Sequence, residues 1–142
     1  MWQEIYKSKL VTAEEAIQAI KDNDVVVTGF ACGEPFGIQR ALVENYKKFN
    51  NVQIVNMLTL GDSPRLRPEM KGHSTLNTLF ASHSNRKEIS TGACEFTTAH
   101  FYEIPEIIKN YICPRVSIVM VSPPDEHGYV SFGTTVDYTK GT

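Results

Sequence analysis

The sequence predicts an α/β domain: an open, mainly parallel sheet with helices on both faces. Three apolar or β-branched runs, at residues 25–28, 52–60 and 116–121, have apolar residues on both alternating faces, as strands covered on both sides require. Between the first two, Ile38, Leu42, Val43, Tyr46 and Phe49 fall at helical spacing, giving an apolar stripe that needs a sheet to cover it. The first run passes directly into Gly29-Phe30-Ala31-Cys32-Gly33-Glu34-Pro35-Phe36-Gly37. A strand, a glycine-rich turn and a helix in succession are how open α/β sheets build a ligand crevice at the carboxyl ends of their strands.

The elements follow in order. Residues 1–10 read as an extended lead-in, with Trp2, Ile5 and Tyr6 available to pin it to a neighbour. Thr12 starts a helix and forms a capping box with Glu15, while Ala13, Ala16, Ile17 and Ile20 supply its buried stripe. Asp22-Asn23-Asp24 turns the chain into the first strand, and Asn50-Asn51 turns it from the second helix into the second strand. Gly61-Asp62-Ser63-Pro64 breaks that strand. The segment to His73, with Arg65, Arg67 and Lys71, reads as a surface loop. Leu76 to Ala81 suits a short strand, and Ser82 or Ser84 suits the cap of a helix through Arg86 and Ile89, stopped by Gly92. Residues 96–102 are open between strand and loop. Pro105 then fits a first helical position, with Ile104, Ile107, Ile108 and Tyr111 as its apolar face and Cys113-Pro114 as its end. After the strand at 116–121, Ser122-Pro123-Pro124-Asp125 with Gly128 reads as a rigid polar turn, and Tyr129, Val130 and Phe132 resume extended structure.

The totals bound the function. A chain of 142 residues, 42% hydrophobic, is read as one domain over residues 1–142 with a closed core. Its net charge of −2 lacks the positive excess of a nucleic-acid surface. No apolar run approaches the ~20 residues that span a bilayer, and the first residues lack the apolar core of a secretory signal. The three scattered cysteines, Cys32, Cys94 and Cys113, fit free thiols in a reducing compartment. A cytoplasmic protein is expected, with no nucleic-acid or membrane partner. His73, His83, His100 and His127 do not fall at metal-ligand spacing with the cysteines, so no metal site is expected.

Within the glycine turn, two residues carry chemistry. Cys32 is either a small apolar filler or a nucleophile. Glu34, stiffened by Pro35, is a base, a nucleophile, or a hydrogen-bond partner of the loop's own amides. Asp125 is most simply a turn residue bonding its own backbone. The turn matches no nucleotide-binding fingerprint. It suits a plain βα connection as well as it suits a ligand loop.

Several segments, taken together, go further. Lys9-Leu10-Val11-Thr12-Ala13-Glu14-Glu15-Ala16, Val27-Thr28-Gly29-Phe30 and Gly33-Glu34-Pro35 resemble the start of the acetyl-CoA hydrolase/transferase family. Met57-Leu58-Thr59-Leu60-Gly61, Phe101-Tyr102-Glu103-Ile104-Pro105 and Val119-Met120-Val121-Ser122-Pro123-Pro124-Asp125 continue the likeness, which Gly128, Ser131, Gly133 and Asp137-Tyr138-Thr139 complete. The whole is most like the 4-hydroxybutyrate CoA-transferase branch.

The resemblance implies an amino-terminal half of the class I CoA-transferase (NagB/RpiA-like) fold. It further implies an enzyme that moves CoA between an acyl-CoA and a short-chain carboxylic acid, such as 4-hydroxybutyrate or butyrate with acetyl-CoA. The transfer runs through a glutamyl-CoA thioester. That glutamate belongs to the carboxyl-terminal half, so this chain holds no catalytic residue, and Glu34 does not inherit the role. Coenzyme A is a substrate, and no cofactor or metal is implied. The partners expected are acyl-CoA, the acid, the carboxyl-terminal half and further copies in a homo-oligomer. The implied substrate-binding wall is Gly29, Gly33, Glu34 and Pro35 from the first loop, with Ser122, Pro123, Asp125, Gly128 and Gly133 from the second. The first loop's amides would face a developing oxyanion. Two other readings stand beside this one: an acyl-CoA hydrolase, and a non-catalytic α/β module binding an acyl group or a sugar phosphate.

Overall fold

Among the described residues five strands form one sheet: β1 (Val25–Thr28), β2 (Val52–Asn56), β3 (Ser74–Thr78), β4 (Glu95–Phe96) and β5 (Val116–Ile118). Their spatial order is β4-β3-β2-β1-β5, and every neighbouring pair is parallel. This computed structural model describes residues 2–60 and 66–142. The strand break expected at Gly61 to Pro64, and Arg65, lie outside the described residues.

The registers explain the two-sided apolar runs. Val26 lies beside Ile54 and Val116, and Ile54 beside Leu76, so one row faces one side of the sheet while Val27 and Val55 face the other. The first row packs with Ile17, Ile20, Ala41, Leu42 and Phe49 from the segment holding α2 (Ala13–Ala16) and from α3 (Phe36–Glu44) with the turn beyond it. Val27 and Val55 pack with Phe30, Leu79, Ile104, Ile108 and Tyr138 on the opposite face. The winding direction accounts for this division. Strands β1 to β4 progress one way, and the chain then crosses back to set β5 on the free side of β1. A right-handed crossover in the reversed direction places its helix, α5 (Ile104–Ile107), on the other face.

Several local expectations are met. Glu15 N donates to Thr12 Oγ1 while Thr12 N donates to the Glu15 carboxylate at 2.9 Å, completing the capping box. Removing one side of it with Thr12→Ala is expected to lower stability by about 0.5–2 kcal/mol, read from the urea midpoint. Asn23, Asn51 and Gly92 take positive φ at their turns.

Other expectations are corrected. Residues 2–9 form a helix, α1 (Trp2–Lys9), not an extended lead-in; Trp2, Ile5 and Tyr6 share one of its faces at helical spacing, yet none of its residues is buried. The second strand ends at Asn56 and the last at Ile118, because the apolar residues beyond them leave the ladder to line loops. The third begins earlier than expected, at Ser74. In the loop before it a short 3-10 turn, Pro68–Met70, buries Met70, and Leu66 packs against the core as well, so that segment is anchored rather than free on the surface. Helix α4 (Arg86–Ser90) starts at Asn85 and has no side-chain cap there; the Asn85 amide oxygen instead accepts from Ser82 N. After α5 the helix widens into a π-helical turn, Ile108–Ile112. Ile112 follows Ile104 and Ile108 inward, leaving Tyr111 82% exposed.

Candidate functional site

The strand order reverses between β1 and β5, so the loops after these two strands diverge and leave a crevice at their carboxyl ends, where open α/β sheets bind ligands. A groove of about 330 Å³ lies there, lined by Cys32, Gly33, Met120, Val121, Ser122 and residues 131–135. It brings Gly33, Ser122 and Gly133 of the expected wall together. Other concavities are larger, such as one of about 560 Å³ along α3 and Arg67; this one spans the switch point between β1 and β5.

The glycines of the first loop serve close packing. A Cβ on Gly33 would collide with Thr135 Oγ1 and lie 2.7 Å from Thr135 Cβ, and a Cβ on Gly29 would collide with the Gly33 carbonyl oxygen. Neither glycine has positive φ; Ala31 takes that conformation instead, at 50°. The loop's amides are largely committed within the chain: Gly29 N donates to Ile118 O, Ala31 N to Leu58 O, Gly33 N to Phe30 O and Glu34 N to Ala31 O. Those four amides are thus already hydrogen-bonded within the chain. What the glycines supply is room for the Thr135 segment.

Behind the groove, Phe30 stacks on Tyr138 with ring centroids 5.2 Å apart, and the Tyr138 hydroxyl donates to Thr28 O at 2.7 Å. A short 3-10 helix, Asp137–Gly141, thus returns the end of the second loop to the end of β1. Neither Tyr138 nor the Thr134-Thr135 pair stands out as groove-forming in the sequence. Only the small glycines facing them hint that something must pack closely there.

The remaining expected residues lie elsewhere. Pro35 is buried and the Glu34 carboxylate is fully enclosed, turned into the interior. Pro123 is exposed. Asp125 Oδ1 accepts from His127 N and Tyr129 N, both at 2.9 Å, as its turn role requires. Gly128, at φ 86°, sits under the Trp2 ring, which is how α1 touches the second loop. The lining mixes hydroxyls with Met120, Val121 and Phe132, and among the described residues it holds no carboxylate, amine or imidazole. Cys32 is exposed and free. No group of three or more metal-ligating side chains occurs among the described residues, and no helix among them is long and apolar enough to cross a membrane. The groove can hold an uncharged chain, and among the described residues the Cys32 thiol is its titratable group.

The profile of the family described as the acetyl-CoA hydrolase/transferase N-terminal domain matches residues 2–142. The chain belongs to the acetyl-CoA hydrolase/transferase family. It is 39% identical over 140 residues to the 4-hydroxybutyrate coenzyme A transferase of Clostridium kluyveri, a match covering 98% of this chain and 33% of that protein. It is 28% identical to the succinyl-CoA:cyclohexane-1-carboxylate CoA transferase of Geobacter metallireducens, over 97% of this chain and 31% of that protein. The crystal structure of a 4-hydroxybutyrate CoA-transferase from Porphyromonas gingivalis superposes with a TM-score of 0.79 at 33% identity, covering 99% of this chain and 32% of that one. RipA from Yersinia pestis shares the fold at TM-score 0.85 and 23% identity, over 99% of this chain and 35% of that one. As a domain of the acetyl-CoA hydrolase/transferase family, the chain spans about one third of the length of these relatives.

Proposed function

We propose that this chain is the amino-terminal domain of a CoA-transferase that moves CoA between an acyl-CoA and a short-chain carboxylic acid. 4-Hydroxybutyrate or butyrate with acetyl-CoA is the substrate pair the resemblance favours. The groove between the β1 and β5 loops carries the reading: a partly apolar wall at the switch point, suited to an acyl chain and lacking any carboxylate of its own. The glutamate that takes up CoA as a thioester lies in the carboxyl-terminal half. The transfer then divides into two steps. The carboxylate attacks the acyl-CoA carbonyl and the CoA thiolate leaves, giving a mixed anhydride, which the thiolate reopens at the glutamyl carbon to form glutamyl-CoA and release the acid. The acceptor acid reverses the sequence. In this scheme Gly33, Ser122 and Gly133 wall the acyl group, and the domain acts facing its other half.

The full-length protein is expected to exchange CoA between acetyl-CoA and butyrate or 4-hydroxybutyrate with ping-pong kinetics, and borohydride is expected to trap a glutamate outside residues 1–142. The 142-residue chain alone is expected to show no turnover. Acetyl-CoA consumption independent of added acid would make the protein a hydrolase. A trapped Glu34 would overturn the assignment of roles.

A further inference from the structure

At the carboxyl ends of the strands the row on the α3 face changes character. Below it Val26, Ile54 and Leu76 form an apolar row, whereas the next positions are Thr28, Asn56 and Thr78, all buried. Glu34 enters this layer from the first loop and is 0% exposed. Its Oε1 accepts from Thr59 Oγ1 at 2.9 Å, from Gln39 Nε2 at 3.1 Å and from Asn56 Nδ2 at 3.4 Å, while Oε2 accepts from Leu60 N at 3.4 Å. Asn56 Nδ2 also donates to Thr59 Oγ1 at 2.9 Å. One carboxylate therefore joins the first loop, α3, the end of β2 and the segment after β2.

Stability alone does not favour such a layer. Buried polar groups gain little over well-packed apolar ones, and here Asn56 Oδ1 and Thr28 Oγ1 are buried without a hydrogen-bond partner. The arrangement does favour fixed geometry. Gly33, adjacent to Glu34 in the chain, is groove wall and packs against Thr135. The side chain of Glu34 fixes the rear of the loop whose front faces the groove.

We propose that Glu34 is a positioning residue: its buried carboxylate holds the Cys32-Gly33 wall in place against the end of β2, at the distance that acyl transfer requires. This rests on the transferase reading above. Glutamate suits the task because both oxygens accept and all four of these neighbours donate. In Glu34→Gln one oxygen becomes a donor; with the remaining oxygen kept toward Thr59, Gln39 and Asn56, the new amide opposes Leu60 N. The wall shifts while the fold survives.

The test uses the full-length protein at a temperature where circular dichroism shows each variant folded. Two readouts are taken: kcat and KM for CoA exchange between acetyl-CoA and butyrate, and the rate of Cys32 alkylation by iodoacetamide, followed by peptide mass spectrometry. For Glu34→Gln we expect kcat to fall by about tenfold to a hundredfold, as a misplaced wall implies, with KM for acetyl-CoA changed by less than about threefold. Cys32 alkylation should change by a factor of about three or more through the same displacement. Thr59→Val, which keeps the side-chain volume and removes the tie to Glu34 together with the bond from Asn56, should move both readouts in the same direction to a smaller extent, and it decides the matter if Glu34→Gln does not fold. Unchanged kcat and unchanged alkylation in a folded variant would overturn the proposal, leaving Glu34 a stabilising residue only. A wild-type protein without exchange activity would sink the transferase reading instead, and Cys32 alkylation would still judge the clamp.

Discussion

Gly33→Val is expected to reduce CoA-transfer turnover of the full-length protein by about a hundredfold while costing roughly 1–3 kcal/mol of stability. The stability cost is that of overpacking: even a Cβ meets Thr135 Oγ1, and Thr135 Cβ lies 2.7 Å from it. The loss of turnover is larger because the loop and the Thr135 segment form the two sides of the groove. Separating them by about 1 Å displaces whatever they hold, and displacements of that size near a reacting carbonyl cost about two orders of magnitude. Backbone strain is not the cause, since Gly33 does not adopt positive φ. A double variant isolates crowding as the source of the stability loss. Gly33→Ala paired with Thr135→Gly removes the crowded Thr135 Oγ1 and Cβ together with Cγ2, so it should regain stability relative to Gly33→Ala alone. Measurements of kcat and thermal midpoint check both arms. Normal turnover in Gly33→Val would remove the loop from the site and make it a structural turn.

The second large effect is expected at Tyr138. Tyr138→Ala should destabilise the chain by about 3–5 kcal/mol, as truncation of buried aromatics does, because its ring is 1% exposed and stacks on Phe30. Tyr138→Phe keeps the stacking and removes the donor to Thr28 O, which should cost only about 1 kcal/mol. Equilibrium urea unfolding of the two variants separates packing from hydrogen bonding. Equal losses would mean that the hydroxyl, and not the ring, anchors the segment.

The parts of the fold legible in the sequence are those where one periodicity acts on both faces. Val25 to Thr28 and Val52 to Asn56 are legible because β-branched and other apolar residues dominate both of their faces, with polar residues at Gln53 and at the carboxyl ends, Thr28 and Asn56, and α3 shows its stripe plainly. Residues 119–121 look equally strand-like, yet the ladder stops at Ile118, and Met120 and Val121 turn to the groove. Apolar content alone does not tell a residue in a ladder from one in a cleft wall. Helix α1 escapes notice for another reason: its stripe of Trp2, Ile5 and Tyr6 is too short to tell from an extended segment, and none of its residues is buried. At the site, both loops are legible because glycine and proline mark them. Thr135 and Tyr138 are not, because what gives them meaning is a contact with residues about a hundred positions earlier. Glu34 is visible as an unusual carboxylate, but its partners Gln39, Asn56 and Thr59 sit on three different segments.

The sheet order also sets a timetable for folding. Strands β1, β2 and β3 join through short crossovers, so their pairing closes small loops. Strand β5 reaches β1 only across most of the chain: Arg115 meets Asp24 over 91 positions, and the Tyr138 hydroxyl meets Thr28 over 110. Loop closure of that span delays contact formation, and β5 contributes a ladder of just three residues. The groove walls are thus expected to meet last as the chain folds and to part first in partial unfolding, which hydrogen exchange at β5 would show as the weakest protection in the sheet. Anything that occupies the groove and binds both walls gains leverage over the domain's stability out of proportion to the area it touches.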